Sequence, residues 1–191
     1  MSILHSRAGD DAATDEKLRT AGLDATFTCF VHEHHLTVKR FLRRLEADGG
    51  MVEDVSQEAL MAVREKWADV QGYRDPRAWT LRVARNILRD HQRTRGRRRV
   101  LFFDDLSMPE LPAPTDPEEA DERLAGWIQL LPTRMGEVMS MSLAGLPDRT
   151  IALELGISYN TVRDTKKKAR EKLQQLAEAD GFITPAGRRR T

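Results

Sequence analysis

The chain has 191 residues, of which 40% are hydrophobic and 32% charged, a balance that suits one medium or two small soluble domains. Its 31 lysines and arginines nearly cancel 30 aspartates and glutamates, so the net charge of +1 selects no class of partner. The one cysteine, Cys29, excludes an internal disulfide, no apolar run approaches the roughly 20 residues of a membrane span, and no secretory leader pattern is present; a cytoplasmic protein in a reducing compartment is expected.

Residues 1–22 are polar, rich in Ala, Asp and Thr, and lack a sustained apolar period, which predicts a flexible N-terminal arm. A helical pattern then carries Leu23, Phe27, Phe30, Val31, Val38, Phe41, Leu42 and Leu45 and stops at Asp48-Gly49-Gly50. Within it stand His32, Glu33, His34 and His35. Adjacent histidines point to different sides of a helix and no second ligand set completes a site, so no metal and no cofactor are expected.

A second helix is predicted from about Met51 to Trp67, with Val52, Val55, Ala59, Val63 and Trp67 on one stripe. On another face Asp54, Gln57 and Glu58 fall together by their spacing of three and four. Acids beside a nucleic-acid-binding element repel phosphate, so this face reads as a dock for a basic protein partner. A third helix follows Gly72 and Pro76 and carries Trp79, Val83, Ala84, Ile87 and Leu88 before an arginine run near Gly96. Along it Arg82, Arg85, Asn86, Arg89 and Arg93 project within about 100° of one another. Just ahead, Tyr73, Arg74 and Trp79 set aromatics beside cations, a pairing that suits unstacked single-stranded bases, although Trp67 and Trp79 are each more often plain core.

Charge then changes sign along the chain. Arg89 to Arg99 holds six arginines and one acid, whereas Val100 to Glu122 holds eight acids, no Lys or Arg, and the prolines at 109, 112, 114 and 117. Residues 100–117 therefore read as an extended linker between an N-terminal domain at 23–99 and a C-terminal one at 118–178. Helices resume near Glu118 with Trp127, Leu130, Leu131, Val138, Met139 and Leu143, and residues 179–191 form a basic tail. No alternating pattern appears, so the fold class is all-α, two small helical domains on a string.

The stretch GLPDRTIALELGISYNTVRDTKKKAREKL, from Gly145 to Leu173, has the pattern of a helix-turn-helix. Asp148 is expected to cap the first helix, Ile151, Ala152 and Leu155 to face inward, Gly156 to make the tight turn, and Ser158 to cap the second helix. On that second helix Val162, Ala169 and Leu173 share one face, while Asn160, Arg163, Lys167 and Arg170 fall on another arc that can reach guanine edges and phosphates in the major groove. A solvated basic face is the blander explanation of Lys166, Lys167, Lys168 and Arg170; the spacing of Ala152, Gly156, Ile157, Ser158 and Val162 is more specific.

Three blocks, EDVSQEALMAVREKW, PRAWTLRVARNILRDHQRTRGRRR, and LPTRMGEVMSMSLAGLPDRTIALELGISYNTVRDTKKKAREKL, together resemble the bacterial extracytoplasmic-function sigma factors of the sigma-70 family, which keep only regions 2 and 4. The resemblance spans about Leu23 to Leu176. It implies a promoter-specificity subunit without covalent chemistry, monomeric when free, whose partners are core RNA polymerase and promoter DNA. Asp54, Gln57 and Glu58 match the signature that docks on the clamp coiled coil of the largest subunit, and the flap of the second-largest subunit is a further implied contact. The loop Gly72–Arg77 with Tyr73 and Arg74, together with Trp79, Arg82, Arg85, Asn86, Arg89 and Arg93, matches the part that melts and reads the −10 element as single strand. Asn160, Thr161, Arg163, Asp164, Lys167, Lys168 and Arg170 match the part that reads the −35 element as duplex. An anti-sigma factor is a further implied partner. The alternative is a conventional helix-turn-helix regulator that never engages polymerase; it leaves the acidic face of the second helix unexplained.

Overall fold

The structure is a computed structural model that describes residues 4–96 and 117–182, with side chains from 17 to 96 and from 119 to 182. Among these residues every regular element is an α-helix: α1 (Leu4–Arg43), α2 (Gly49–Glu65), the short α3 (Trp67–Val70), α4 (Pro76–Thr94), α5 (Pro117–Gln129), α6 (Thr133–Leu143), α7 (Asp148–Leu155) and α8 (Tyr159–Ala179). The all-α expectation is met. The predicted linker lies outside the described residues except for Pro117, which opens α5, and the tail beyond Phe182 lies outside them as well.

The helix ends follow local chemistry. Asp48 accepts the backbone N–H groups of Gly50 and Met51 and so starts α2; Asp75 accepts from Ala78 at 3.0 Å and, with Pro76 already fixed at a helical φ, starts α4. The expected second helix is interrupted at Lys66, whose φ of −107° and ψ of 12° leave the helical region, so Trp67 opens α3 instead of ending α2. Residues 4–22 also depart from expectation. They belong to α1 as helix, with no proline to break it.

The first four helices form one group in which α2 lies against α1 and α4, and α5 to α8 form a second. Phe30, Val63, Trp67 and Val70 make a small cluster, where the Trp67 indole N–H donates to Thr26 Oγ1 at 2.9 Å; Trp67 is core, whereas Trp79 is only partly buried against the cluster. The main core ignores the division between the groups. It runs from Val38, Phe41 and Leu42 through Val55 and Leu81 to Val138, Met141, Ile151, Leu155 and Val162. At its margin Arg44 pairs with Asp121 at 2.9 Å, and Gln129 donates to the Arg43 carbonyl at 2.7 Å. The two groups are thus packed together.

Candidate nucleic-acid interface

The helix-turn-helix is built by its turn. At Gly156 the backbone takes φ of 63° and ψ of 40°, a left-handed conformation in which glycine escapes the Cβ clash. There the Ile157 N–H reaches the Ala152 carbonyl at 3.0 Å and the Gly156 N–H that of Leu153 at 3.3 Å, which closes α7 in a Schellman motif. Ser158 Oγ then accepts the Thr161 N–H at 3.0 Å and opens α8. Ile151, Ala152, Leu155 and Val162 are buried between the helices as expected. Asp148 is not the cap: Pro147 holds that position with no side-chain bond, and Asp148, the first residue of α7, receives Lys166 Nζ at 2.7 Å. A carboxylate in the first turn still complements the helix dipole, and the pair ties the recognition helix to the one before it.

Asn160, Thr161, Arg163, Asp164, Lys167, Lys168 and Arg170 are all exposed, as a groove-reading face requires. The Arg163 guanidinium lies 6.0 Å from the Tyr159 ring centroid, a cation–π contact that limits where its planar donors point. Tyr159, itself half exposed, was not singled out from the sequence.

The acidic face of α2 is likewise open. Asp54, Gln57 and Glu58 are exposed; Gln57 donates to Glu53 at 3.0 Å, and His91 Nε2 lies 2.8 Å from Glu58. Lys39 reaches Glu53 at 2.7 Å and, together with Gln57, holds that carboxyl below the usual range. Met61, four residues after Gln57, is 66% exposed and adds an apolar contact to the same face.

The basic stripe of α4 is different. Arg93 is exposed beside Asp90, and Asn86 is exposed while accepting from Arg85 Nη2 at 3.1 Å. Arg85, however, is buried, contrary to its expected place on an open stripe, because α6 lies over it. Glu137, 2% exposed on α6, takes Arg89 at 2.5 Å, Arg134 at 3.6 Å and Arg85 at 4.0 Å. On α7, Glu154 takes Arg82 at 3.3 Å. Burial pulls the Arg85 pKa down, a shift that Glu137 and Glu154 oppose and that Arg89 and Arg134 reinforce. Tyr73, with its ring 6.2 Å from that of Trp79, and Arg74 lie across a cleft from Arg149, Leu153 and Tyr159 of the helix-turn-helix. Glu137 and Glu154 escaped the sequence reading. Their signal was slight: Glu137 is a lone acid inside the apolar run of α6, and of its partners Arg85 and Arg89 lie across the linker.

Two histidines of α1 are engaged along their own helix, with His35 Nδ1 3.0 Å from the Val31 carbonyl and His34 edge-on to Phe30. Among the described residues no group of three or more His, Cys, Asp and Glu is placed to hold a metal ion, and no helix is long and apolar enough to cross a membrane.

A helix-turn-helix joined to a helical domain with an arginine-rich helix is an arrangement suited to binding nucleic acid. Residues 30–98 match the family Sigma-70 region 2. The extracytoplasmic-function RNA polymerase sigma factor SigF of Caulobacter vibrioides is 33% identical over 149 residues, covering 74% of this chain and 79% of the relative. SigL of Mycobacterium tuberculosis is 32% identical over 137 residues, covering 69% and 77%. Among solved structures, CnrH in complex with the cytosolic domain of CnrY aligns with a TM-score of 0.60 at 25% identity, over 82% of this chain and 90% of that one. The sigma factor RpoE from Bartonella quintana, solved with the anti-sigma factor NepR, shares the fold with a TM-score of 0.64 at 18% identity, over 80% and 97%. The chain belongs to the extracytoplasmic-function sigma factors of the sigma-70 family. It is a promoter-specificity subunit that binds core RNA polymerase and promoter DNA, which sets aside the conventional regulator.

Proposed function

We propose the following division of labour for this sigma factor. Asp54, Gln57 and Glu58, with Met61 beside them, dock on the basic clamp coiled coil of the largest polymerase subunit, and the C-terminal domain meets the flap of the second-largest. Tyr73, Arg74, Trp79, Arg82, Arg85, Asn86, Arg89 and Arg93 open and hold the −10 element as single strand. Asn160, Thr161, Arg163, Asp164, Lys167, Lys168 and Arg170 read the −35 element as duplex. The protein works in the cytoplasm, performs no covalent chemistry of its own, and is held in check by an anti-sigma factor; in support, RpoE from Bartonella quintana forms a complex with the anti-sigma factor NepR, and CnrH one with the cytosolic domain of CnrY.

The observation that carries this reading is the open cationic face of α8, set on a helix-turn-helix whose turn and cap are complete. Docking supplies the rest. Unpairing DNA costs a few kcal/mol per base step, which stacking of extruded bases on aromatic rings can offset once polymerase holds the duplex in place. Transcription in vitro with core polymerase and genomic promoter fragments tests the assignment. Discrete transcripts are expected with the parent chain, and a drop on the order of 100-fold with Asp54→Lys/Glu58→Lys, as reversal of docked charges costs several kcal/mol. Full activity of that double variant in a folded protein would remove the α2 face from the polymerase contact.

A further inference from the structure

Two residues at the start of α8 form a unit of which the −35 assignment contains only one. Tyr159 is the first residue of the helix, and Arg163 stands one turn further on along the same face. Side chains of a helix lean toward its N-terminus, so Arg163 folds back over Tyr159, and its guanidinium carbon lies 6.0 Å from the ring centroid. Among the described residues no carboxylate pairs with Arg163, although Asp164 is its neighbour in the chain. Lys166, by contrast, is drawn off to Asp148 at 2.7 Å. The Tyr159 ring is therefore the contact that restrains this guanidinium.

The ring stands on a fixed base. Ser158 caps α8 by accepting the Thr161 N–H at 3.0 Å, and the hydroxyls of Ser158 and Thr161 meet at 2.8 Å, so the backbone of Tyr159 is held within a closed first turn. Packing does not explain the side chain: the buried positions of α8 in this region are Val162 and Ala169, whereas Tyr159 is 45% exposed. What it touches instead is Arg163.

In a helix-turn-helix the N-terminal residues of the second helix meet the base edges of the major groove. Guanine presents O6 and N7 side by side there, and an arginine reads them with two N–H groups only when its plane is turned to match. A guanidinium free to turn loses rotamer freedom in taking that orientation. One held over an aromatic ring has part of that freedom removed before DNA arrives.

We infer that Tyr159 is a positioning residue for −35 recognition: its ring holds the Arg163 guanidinium in the orientation that reads a guanine through O6 and N7. Base preference at one −35 position then depends on the ring as well as on the arginine. This rests on the assignment of Arg163 to a −35 base.

The test uses holoenzyme reconstituted from core polymerase and the full chain, bound to promoter duplexes randomised across the −35 element. Sequencing the bound fraction gives the base preference at each position. R163A is expected to lower a guanine preference at one position by about fivefold or more, the lower end of what a bidentate contact contributes. Y159A should lower the preference at that same position by about two- to fivefold, the strength of an exposed cation–π contact, and leave the other positions unchanged. Y159F keeps the ring and should behave as the parent. Y159L keeps bulk without the aromatic face; it should behave as Y159A, and it serves if that variant folds poorly. In Y159A/R163A the preference should match that of R163A alone, because the ring acts only through the arginine.

An equal loss at every position with R163A makes that arginine a phosphate contact, and the base assignment and the inference fall together. A position that R163A flattens and Y159A leaves intact, or one that prefers a base other than guanine, overturns the inference alone. Impairment of Y159F equal to that of Y159A does the same, since the hydroxyl would then be the contact. So does a further loss at that position in the double variant, which would make Tyr159 a reader of the base itself.

Discussion

The two basic helices of this protein, α4 and α8, look alike as sequence and differ in what surrounds them. Each sets cations on one arc and apolar residues on another. On α8 the apolar arc is covered by α6 and α7 and most of the cations face solvent; on α4 the apolar arc is covered by α1 and α2, while on the cationic arc Arg85 is buried and Arg82 and Arg89, still partly exposed, are paired with carboxylates of α7 and α6. A basic face is therefore a capacity to bind a polyanion, and whether it is available depends on what else the chain packs there.

The comparison can be broken at its middle. Ile151 is fully buried in the core that joins the two groups of helices, and Ile151→Ala should cost about 2 to 5 kcal/mol in a denaturant titration. Because it removes packing from the covering helix, strand binding by α4 should rise in the molecules that remain folded, while duplex binding by α8 should fall. A rise in both would mean that the two helices are covered alike.

A smaller effect sharpens the open side. Arg163→Ala should weaken discrimination at one −35 position by about 1 to 3 kcal/mol if the guanidinium reads a base edge. Competition between promoter variants in a binding assay measures it, and a uniform loss across all sequences would make Arg163 a phosphate contact instead.

The smallest expected effect lies at the far end of α4. Asp48 caps α2 and reaches Arg95 at 3.2 Å, and its carboxyl is held below the usual range chiefly by the Met51 backbone N–H, with the Gly50 N–H and Arg95 adding to it against a modest opposing effect of burial. The unfolded chain therefore binds more protons between the unfolded and folded pKa values. The stabilisation is complete above the ordinary carboxylate range and fades as pH falls through the lowered folded value. Urea midpoints of Asp48→Asn should lie below those of the parent at neutral pH and converge with them in acid. A gap that persists undiminished in acid would assign the effect to packing instead of charge.

Much of the recognition machinery was legible in the sequence because it is made by neighbours along the chain. The Ser158 cap bonds three residues ahead, the Gly156 turn closes on carbonyls three and five residues behind, and the acidic face of α2 follows from a spacing of three and four. Local rules also misplaced details: proximity suggested Asp148 as a cap, but a partner in α8 claims its carboxylate. The missing apolar period of residues 4–22 suggested an arm; these residues are the first part of α1.

What the sequence by itself determined was a set of helices, their capped ends, a helix-turn-helix, and two arginine-bearing faces, all set by interactions within a few residues. Only the tertiary structure decided which arginines are open. Arg85 and Asn86 are adjacent, yet one is buried against Glu137 and the other faces solvent. That outcome depends on how α6 and α7 settle on α4 across the intervening linker, through contacts between residues far apart in the chain, 52 positions for Arg85 and Glu137, that no local period encodes.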